Sequence, residues 1–171
     1  MERIRLLQGE TTELFKVVAA FEELSRPIHL RLETASLGRL LRATVEEERT
    51  RAEADASVEV LCELDSLADA EGLADGEKLA EAIGEVLRNS VESMPEEGGT
   101  VTVYAERLMD DRVLVEVYDT GEGFSDFALD RCFDAFFSTK AGRLGLGLTK
   151  ARRILEAHGG DIELTAPTKA P

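Results

Sequence analysis

The sequence predicts an α+β fold, a two-layer α/β sandwich in which helices cover one side of a mixed sheet, with a separate helix at the N-terminus. Two observations lead to this prediction. Segments whose apolar residues alternate are interspersed with segments whose apolar residues recur every three or four positions. Proline and glycine mark the boundaries between them, at Pro27, Gly98-Gly99 and Gly159-Gly160. With 171 residues, the chain has the length of one ordinary domain and a short appendage.

An N-terminal helix is predicted from Glu2 to about Ser25. Its apolar residues follow a seven-residue spacing along one narrow stripe, formed by Leu7, Leu14 and Phe21 with Ile4 and Val18 between them. This spacing suits the seam of a helical bundle or coiled coil, and it suits equally an amphipathic helix that lies on its own domain. Both interpretations stay open at this point. Pro27 ends the helix, because a proline forces the preceding residue out of the α region.

The rest of the chain alternates between predicted helices and strands. A connector from Ile28 to Ala35 is followed by a helix that Ser36 caps. The later elements, in order, are a strand over 57–64, a turn region over 65–76, a helix over 77–94, a hairpin of strands over 100–107 and 112–119, a helix over 147–158 and a closing strand over 161–165. The expected units are therefore an N-terminal helix over 1–26, a connector over 27–35 and one domain over 36–171.

The composition narrows the classes of function. A formal net charge of −15 repels a nucleic-acid backbone, and no strongly basic run offsets it, so no nucleic-acid partner is expected. The apolar runs are far shorter than the ~20 residues that span a bilayer, and the N-terminus lacks a secretory core. We therefore expect no membrane segment and a cytoplasmic protein. Cys62 and Cys132 are isolated, which predicts buried thiols in a reducing compartment.

Two glycine motifs predict a nucleotide pocket. Asp119-Thr-Gly-Glu-Gly-Phe124 ends an apolar alternation, and Gly145-Leu-Gly-Leu-Thr149 opens the last predicted helix. Glycine lets the backbone approach a ligand closely, and the first amides of a helix are unpaired donors at the positive end of its dipole, which suits phosphate. The Asp119 carboxylate would accept a hydrogen bond from the exocyclic amine that adenine has and guanine lacks. Each motif alone is more typical of a tight turn.

Glu85 and Asn89 lie one turn apart on the predicted helix over 77–94, away from the face of Ile83 and Leu87. They are therefore placed to contact a ligand. The Asn89 carbonyl is a neutral oxygen donor of the kind that Mg²⁺ takes while it bridges phosphates. Taken alone, such a pair is more typical of a solvated helix face.

The order of the motifs separates them from isolated turns. Along the chain follow an acidic-asparagine helix, an Asp-x-Gly-x-Gly turn, a phenylalanine cluster, a Gly-x-Gly-Leu run and a helix ending in His-Gly-Gly. Over roughly residues 36–166 this arrangement resembles the ATP-binding superfamily of gyrase, the heat-shock chaperones and the histidine kinases, and most of all the catalytic domain of sensor histidine kinases. The resemblance implies the Bergerat-type ATP-binding fold, with ATP or ADP as ligand and Mg²⁺ as cofactor.

The resemblance also assigns roles to residues. It implies that Asn89 holds Mg²⁺ and that Glu85 makes a metal-water or polarising contact, with a general-base role as the alternative. Contacts with ATP are implied for Asn89, Asp119, Gly121, Gly123, Phe137, Lys140, Gly142, Arg143, Gly145, Leu146, Gly147 and Leu148.

A lid over the nucleotide is expected between the phenylalanine cluster and the last helix. Phe133 and Phe136 would anchor its base, while Phe137 leads into its Ser-Thr-Lys end. Lys140 supplies a compact charge that reaches phosphate. Arg143 stands where the family often has small residues, and it would either contact a phosphate or stiffen the lid.

The partners implied by the resemblance are a histidine-bearing dimerisation helix and the receiver domain of a response regulator. Residues 14–27 look like the end of the second helix of a dimerisation hairpin, so a homodimer through the N-terminal helix is a further expectation. Neither His29 nor His158 stands in a phosphoacceptor helix. The acceptor would therefore act in trans or belong to a longer parent chain. Two alternatives remain, a serine kinase resembling bacterial anti-sigma factors and a non-catalytic nucleotide-binding scaffold.

Overall fold

The structure is a computed structural model, and it describes residues 15–55, 58–67, 70–110, 112–140 and 142–165. Its elements, in chain order, are α1 (residues 15–25), β1 (Glu33–Ser36), α2 (Leu37–Asp55), β2 (Val58–Glu63), β3 (Glu71–Ala74), α3 (Gly76–Val91), β4 (Gly99–Arg107), β5 (Val113–Asp119), α4 (Asp126–Leu129) and α5 (Gly147–Ala157). Ile4, Leu7 and Leu14 of the predicted stripe lie outside the described residues. Among the helices described, none combines the length and the apolar character needed to cross a bilayer.

β2, β4 and β5 form the mixed sheet that the sequence predicts. β4 lies in the middle, parallel to β2 and antiparallel to β5. Val60 lies opposite Val101 and Cys62 opposite Val103, so the alternating apolar residues of the strands share one face. α2 and α3 cover that face and complete the predicted two-layer sandwich.

The core between sheet and helices fixes the orientation of α3. Val45, Leu87, Val101 and Val103 have no exposed surface, and burying each such side chain contributes roughly 1.5–3 kcal/mol. Because Leu87 points into this core, residues one and two positions away on α3 are turned toward the other side of the helix. The predicted pair Glu85 and Asn89 lies on that other side.

A second, smaller core joins α5 to α3, built from Ala82, Ala151 and Ile154. His158 closes it at the C-terminal end of α5. Its Nε2 accepts a hydrogen bond from the Asp75 backbone N at 3.1 Å, and its Nδ1 lies 2.8 Å from the Ile154 backbone oxygen. Asp75 is the N-cap of α3. The end of α5 is thereby fastened to the beginning of α3.

α1 lies on α5 through polar contacts at its C-terminal end. Lys150 pairs with Glu23 at 2.6 Å, and Arg153 donates to the backbone oxygen of Arg26 at 2.7 Å. Val18 and Phe21, the described part of the predicted stripe, remain 48% and 63% exposed. These two residues of the stripe therefore do not pack on the domain.

Two short strands replace parts of the predicted connector and turn region. β1 pairs with β3 in an antiparallel two-stranded sheet, with Glu33 opposite Ala74 and Ser36 opposite Glu71. Each strand has only four residues and no clear apolar alternation. Their pairing depends on a partner far along the chain, so the sequence pattern gave no signal for them.

The closing strand predicted over 161–165 is wrong, because these residues are irregular. Ile162 shows the reason. Its backbone N donates to the Asp161 side chain at 2.7 Å, and its carbonyl oxygen accepts from Arg152 at 3.3 Å. Both backbone groups are thus engaged by side chains that compete with a strand ladder.

Candidate nucleotide-binding site

A cleft of about 610 Å³ lies between α3 and the segment that leads from β5 to α5. The structure brings most of the predicted site residues together in its lining: Glu85, Asn89, Gly123, Phe137, Lys140, Gly142, Arg143, Gly145, Leu146, Gly147 and Leu148. These residues come from a helix, a loop and a second helix that are distant in sequence. The cleft therefore depends on the packing of α5 against α3.

Two glycines at the start of α5 are closely packed against their neighbours. Gly145 has a φ of 67°, and a Cβ there would lie 2.1 Å from the Phe137 carbonyl oxygen. A Cβ on Gly147 would lie 2.7 Å from Oε2 of Glu85. Leu146 at the N-cap makes no side-chain capping bond. The first amides of α5 therefore remain donors at the positive end of the helix dipole, beside the cleft.

Asn89 and Lys140 meet inside the cleft. Lys140 Nζ donates to Oδ1 of Asn89 at 3.1 Å and to its backbone oxygen at 3.0 Å. The same ammonium lies 3.7 Å from Glu92, which also pairs with Arg143. Burial lowers the pKa of Lys140, although attraction to Glu92 opposes that shift. The Lys140 ammonium thus places a positive charge against the Asn89 side-chain oxygen, where a metal ion would bind.

The donor set around Asn89 fits Mg²⁺ bound together with a nucleotide. Within the described ranges, no group of three His, Cys, Asp or Glu side chains could hold a metal ion by itself. Mg²⁺ needs no such group, because it keeps several waters and takes phosphate oxygens alongside one or two protein ligands. The Asn89 oxygen, which already faces the Lys140 ammonium, would supply one of these ligands.

Glu85 lies between a charged network and the beginning of α5. Its Oε1 pairs with Arg88 at 3.0 Å, and Arg88 also donates to Oε1 of the buried Glu48 at 2.5 Å. Burial would lower the pKa of Arg88, but attraction to Glu85 and Glu48 outweighs it and raises that pKa. The Glu85 carboxylate therefore faces Gly147 with one oxygen and a cation with the other.

Asp119 and Gly121 lie behind Ser93, which lines the cleft. Oδ1 of Asp119 accepts a hydrogen bond from the Gly121 backbone N at 3.0 Å and a longer one from Ser93 Oγ at 3.4 Å. A Cβ on Gly121 would lie 2.2 Å from that hydroxyl. Glycine is thus required for the turn to pack on α3. The carboxylate is exposed, and neither Asp119 nor Gly121 is among the residues that line the cleft.

The phenylalanine cluster is only partly the anchor that the sequence predicts. Phe133 is half-buried, with the Arg152 guanidinium 3.8 Å above its ring. Phe136 does not anchor the lid base, since it is 44% exposed and has a φ of 65°. Phe137 does more than lead into the lid. It lines the cleft and packs edge-on against Phe127, with Arg131 above both rings.

The lid segment is fastened to the C-terminal end of α3 through Lys140 and Arg143, and it contains glycines with positive φ. Arg143 pairs with Glu92 at the end of α3. Gly142 has a φ of 75° and open space around the position of a Cβ. The pair with Glu92 is in keeping with the predicted stiffening role of Arg143, and the predicted contact with a phosphate stays a prediction.

The family model described as histidine kinase-, DNA gyrase B-, and HSP90-like ATPase matches residues 74–170, which is more than half of the chain. The chain belongs to this ATPase family. It therefore contains the family's ATP-binding domain, and the matched residues include α3, β4, β5 and the glycine run at the start of α5.

Similar proteins include sensor kinases. AtoS of Escherichia coli, a signal transduction histidine-protein kinase, is 30% identical over 165 residues, which cover 96% of this chain and 27% of AtoS. Full-length ShkA in complex with AMPPNP has a TM-score of 0.70 and 30% identity, covering 83% of this chain and 30% of ShkA. Histidine kinase ThkA in complex with response regulator protein TrrA shares the fold, with a TM-score of 0.67 and 23% identity. The match covers 94% of this chain and 45% of the ThkA structure's chain. The chain thus spans roughly a third or less of the curated relatives it matches along most of its length.

Sequence reasoning did not assign several residues that line the cleft to the site, among them Arg88, Glu92, Ser93 and Cys132. The sequence could have indicated an ion pair between Arg88 and Glu85, because residues three apart lie on the same face of a helix. Burial raises the pKa of the Cys132 thiol, and its Sγ lies 3.1 Å from the Leu129 backbone oxygen, so it is an inert part of the wall.

Proposed function

We propose that the cleft binds ATP with Mg²⁺ and that the chain is the catalytic part of a two-component protein-histidine kinase. The observation that carries this proposal is the meeting of Asn89 and Lys140 beside the uncapped start of α5, where the glycines are closely packed. An oxygen ligand for a cation, a mobile ammonium and free helix amides are the groups that a triphosphate needs.

In this proposal each group has one task. Asn89 would hold Mg²⁺, which neutralises charge on the phosphates as they react. Lys140 would exchange the Asn89 oxygen for a phosphate oxygen, since its ammonium is a single compact charge on a flexible stem. The amides at Gly147 and Leu148 would receive the phosphate end of the nucleotide. Asp119, behind Ser93, would accept a hydrogen bond from the adenine amine.

The phosphoryl acceptor in this proposal is a histidine outside the residues of this chain. Both ring nitrogens of His158 are engaged in the contacts that close α5, so it offers no lone pair to a phosphoryl group. His29 is exposed in an irregular segment and belongs to no helix. The acceptor helix would come from another polypeptide or from a longer protein that includes this chain.

The exposed stripe on α1 supports a helical partner for that surface. Phe15, Val18 and Phe21 are 70%, 48% and 63% exposed on one side of α1. Helices of a dimerisation hairpin or of a second copy would cover them. The phosphoryl group would then pass to an aspartate of a response regulator receiver domain in the cytoplasm. The similarity in fold to ThkA, which was solved with such a regulator, is in keeping with this step.

Two experiments test the proposal in turn. Calorimetric titration should show binding of ADP or ATP that strengthens with Mg²⁺, and GTP should bind more weakly. Incubation with γ-labelled ATP and a polypeptide carrying the matching histidine helix should then label that histidine with acid-labile, base-stable phosphate. Labelling of a partner serine would overturn the histidine-kinase assignment, and labelling of His29 would overturn an acceptor outside this chain; absence of any nucleotide binding would overturn the proposal as a whole.

A further inference from the structure

We infer that Arg88 is a positioning residue of the nucleotide site: anchored on the buried Glu48, it neutralises Glu85 where that carboxylate meets the beginning of α5. The inference rests on the proposed nucleotide site and goes beyond it, because Arg88 is assigned no contact with the nucleotide. Arg88 would explain why the Glu85 carboxylate is tolerated beside the beginning of α5, where the proposed site receives phosphates.

The arginine is held in one place by two carboxylates. Its NH1 donates to Oε1 of Glu48 at 2.5 Å, and its NH2 lies 3.0 Å from Oε1 of Glu85. Glu48 is 4% exposed, so its negative charge has little water around it and depends on its partners. Arg88 thereby connects α2, which takes no part in the cleft lining, to the residue that faces α5.

The sequence makes room for this connection at Gly84. A glycine inside a helix costs roughly 1 kcal/mol relative to alanine, yet Gly84 stands in the middle of α3 and is buried. A Cβ at this position would lie 3.0 Å from NH1 of Arg88 and 3.2 Å from Oε1 of Glu48. Glycine at this position thus leaves unhindered the space in which the guanidinium meets Glu48.

The position of Glu85 shows why its negative charge needs a cationic partner. Its Oε2 lies 2.7 Å from the place where a Cβ on Gly147 would stand, so the carboxylate touches the first turn of α5. An unpaired negative charge there would repel phosphate and would also compete with it for the positive end of the helix dipole. With Arg88 on its other oxygen, Glu85 keeps its place without adding net charge to the cleft wall.

The inference predicts a specific pattern of nucleotide affinities. Arg88→Met should weaken binding of Mg-ADP by about ten- to a hundredfold, the loss expected when a charged hydrogen-bonded group loses its partner. Adding Glu85→Gln to that variant should restore most of the affinity, because the uncompensated charge is then gone. Glu48→Gln should weaken binding in the same direction by several-fold, since Arg88 loses its anchor but keeps Glu85.

Arg51 provides a matched control. It pairs with the same Glu48 oxygen at 2.7 Å from the opposite side, so Arg51→Met removes an equivalent partner of Glu48 and leaves the Glu85–Arg88 pair intact. Mg-ADP affinity should not change in this variant. The remaining Arg51 also keeps Glu48 paired in Arg88→Met, which favours correct folding; circular dichroism and thermal unfolding establish this before titration.

The experiment is calorimetric titration of Mg-ADP into the wild type, Arg88→Met, Glu85→Gln, Glu48→Gln, the Glu85/Arg88 double variant and Arg51→Met. Recovery of affinity in the double variant supports the inference, because loss of mere packing would not be reversed by neutralising Glu85. Unchanged affinity in folded Arg88→Met overturns it, and so does a double variant that binds as weakly as Arg88→Met, which would make Arg88 a direct ligand of the nucleotide. A wild type that binds no Mg-ADP would instead refute the proposed nucleotide site itself.

Discussion

Replacing Asn89 with alanine tests the metal site with little damage to the fold. The side-chain oxygen accepts from Lys140 Nζ at 3.1 Å, and the backbone oxygen that the variant keeps accepts from the same atom at 3.0 Å. Losing a hydrogen bond to a charged group costs about 1.5–3 kcal/mol, while alanine regains about 0.5 kcal/mol as a better helix former. We expect a net loss of about 1–2.5 kcal/mol and a Tm lower by about 2–10 °C.

The Asn89→Ala substitution should remove the Mg²⁺ dependence of nucleotide binding while it changes stability only moderately. If Asn89 holds Mg²⁺, ATP should bind the variant with nearly the same affinity in the presence and absence of the ion, and phosphoryl transfer should disappear. Calorimetric titration with Mg²⁺ and with a chelator measures the ratio of the two affinities. Circular dichroism checks that the helix content is unchanged.

Lys140→Met is the matched comparison for Asn89→Ala. The two side chains touch each other, but the lysine should serve the phosphates and the asparagine the metal. Lys140→Met should therefore weaken ATP binding both with and without Mg²⁺ and leave the ratio of the two affinities as in the wild type. A folded Asn89→Ala variant that keeps the full Mg²⁺ enhancement would refute the assignment of the metal to Asn89.

Three further predictions concern the base, the lid and acid stability. Asp119→Asn keeps an oxygen for the Gly121 amide, so it should fold normally but bind adenine nucleotides about tenfold or more weakly in titration; unchanged affinity would remove Asp119 as the base reader. Gly145→Ala introduces a Cβ 2.1 Å from the Phe137 oxygen, so it should lower ATP affinity far more than Gly142→Ala, which has a similar positive φ but open space around it; equal losses would contradict the contact. Backbone hydrogen bonds from Arg31 and Lys78 lower the pKa of Asp75, so its contribution to stability is present above its unfolded pKa of about 3.9 and is lost as the pH falls through its lower folded pKa. Chemical denaturation between pH 5 and pH 2 should show a smaller acid-induced loss in Asp75→Asn than in the wild type, and an equal loss would contradict it.

The part of the site that the sequence predicts is the part encoded in local motifs. The glycine run specifies its own backbone, since Gly145 needs a positive φ and Gly147 must leave space beside Glu85. Glu85 and Asn89 were placed correctly because helical periodicity alone turns them away from the buried Leu87.

The part that the sequence could not predict depends on partners far along the chain. The hydrogen bond from Arg88 to Glu48 joins residues 40 positions apart, and the bond between Asp75 and His158 joins residues 83 apart. β1 and β3 likewise exist because each supplies the other's hydrogen bonds. The error over residues 161–165 has a local cause instead, since the Asp161 side chain competes for the Ile162 amide and a period-two pattern does not register this competition.

The helices α3 and α5, which carry the site, are held differently from the segment that leads from β5 to α5. α5 is fixed at one end by His158 and along its length by Ala151 and Ile154 against α3, while α3 is anchored in the main core by Leu87. The intervening segment crosses the cleft with exposed aromatic residues and positive φ angles at its glycines. Few buried contacts make such a segment the part of a domain that opens at low free-energy cost. Asn89 and the first amides of α5 therefore sit on the well-anchored elements, while Lys140 and Arg143 sit on the segment with fewer buried contacts.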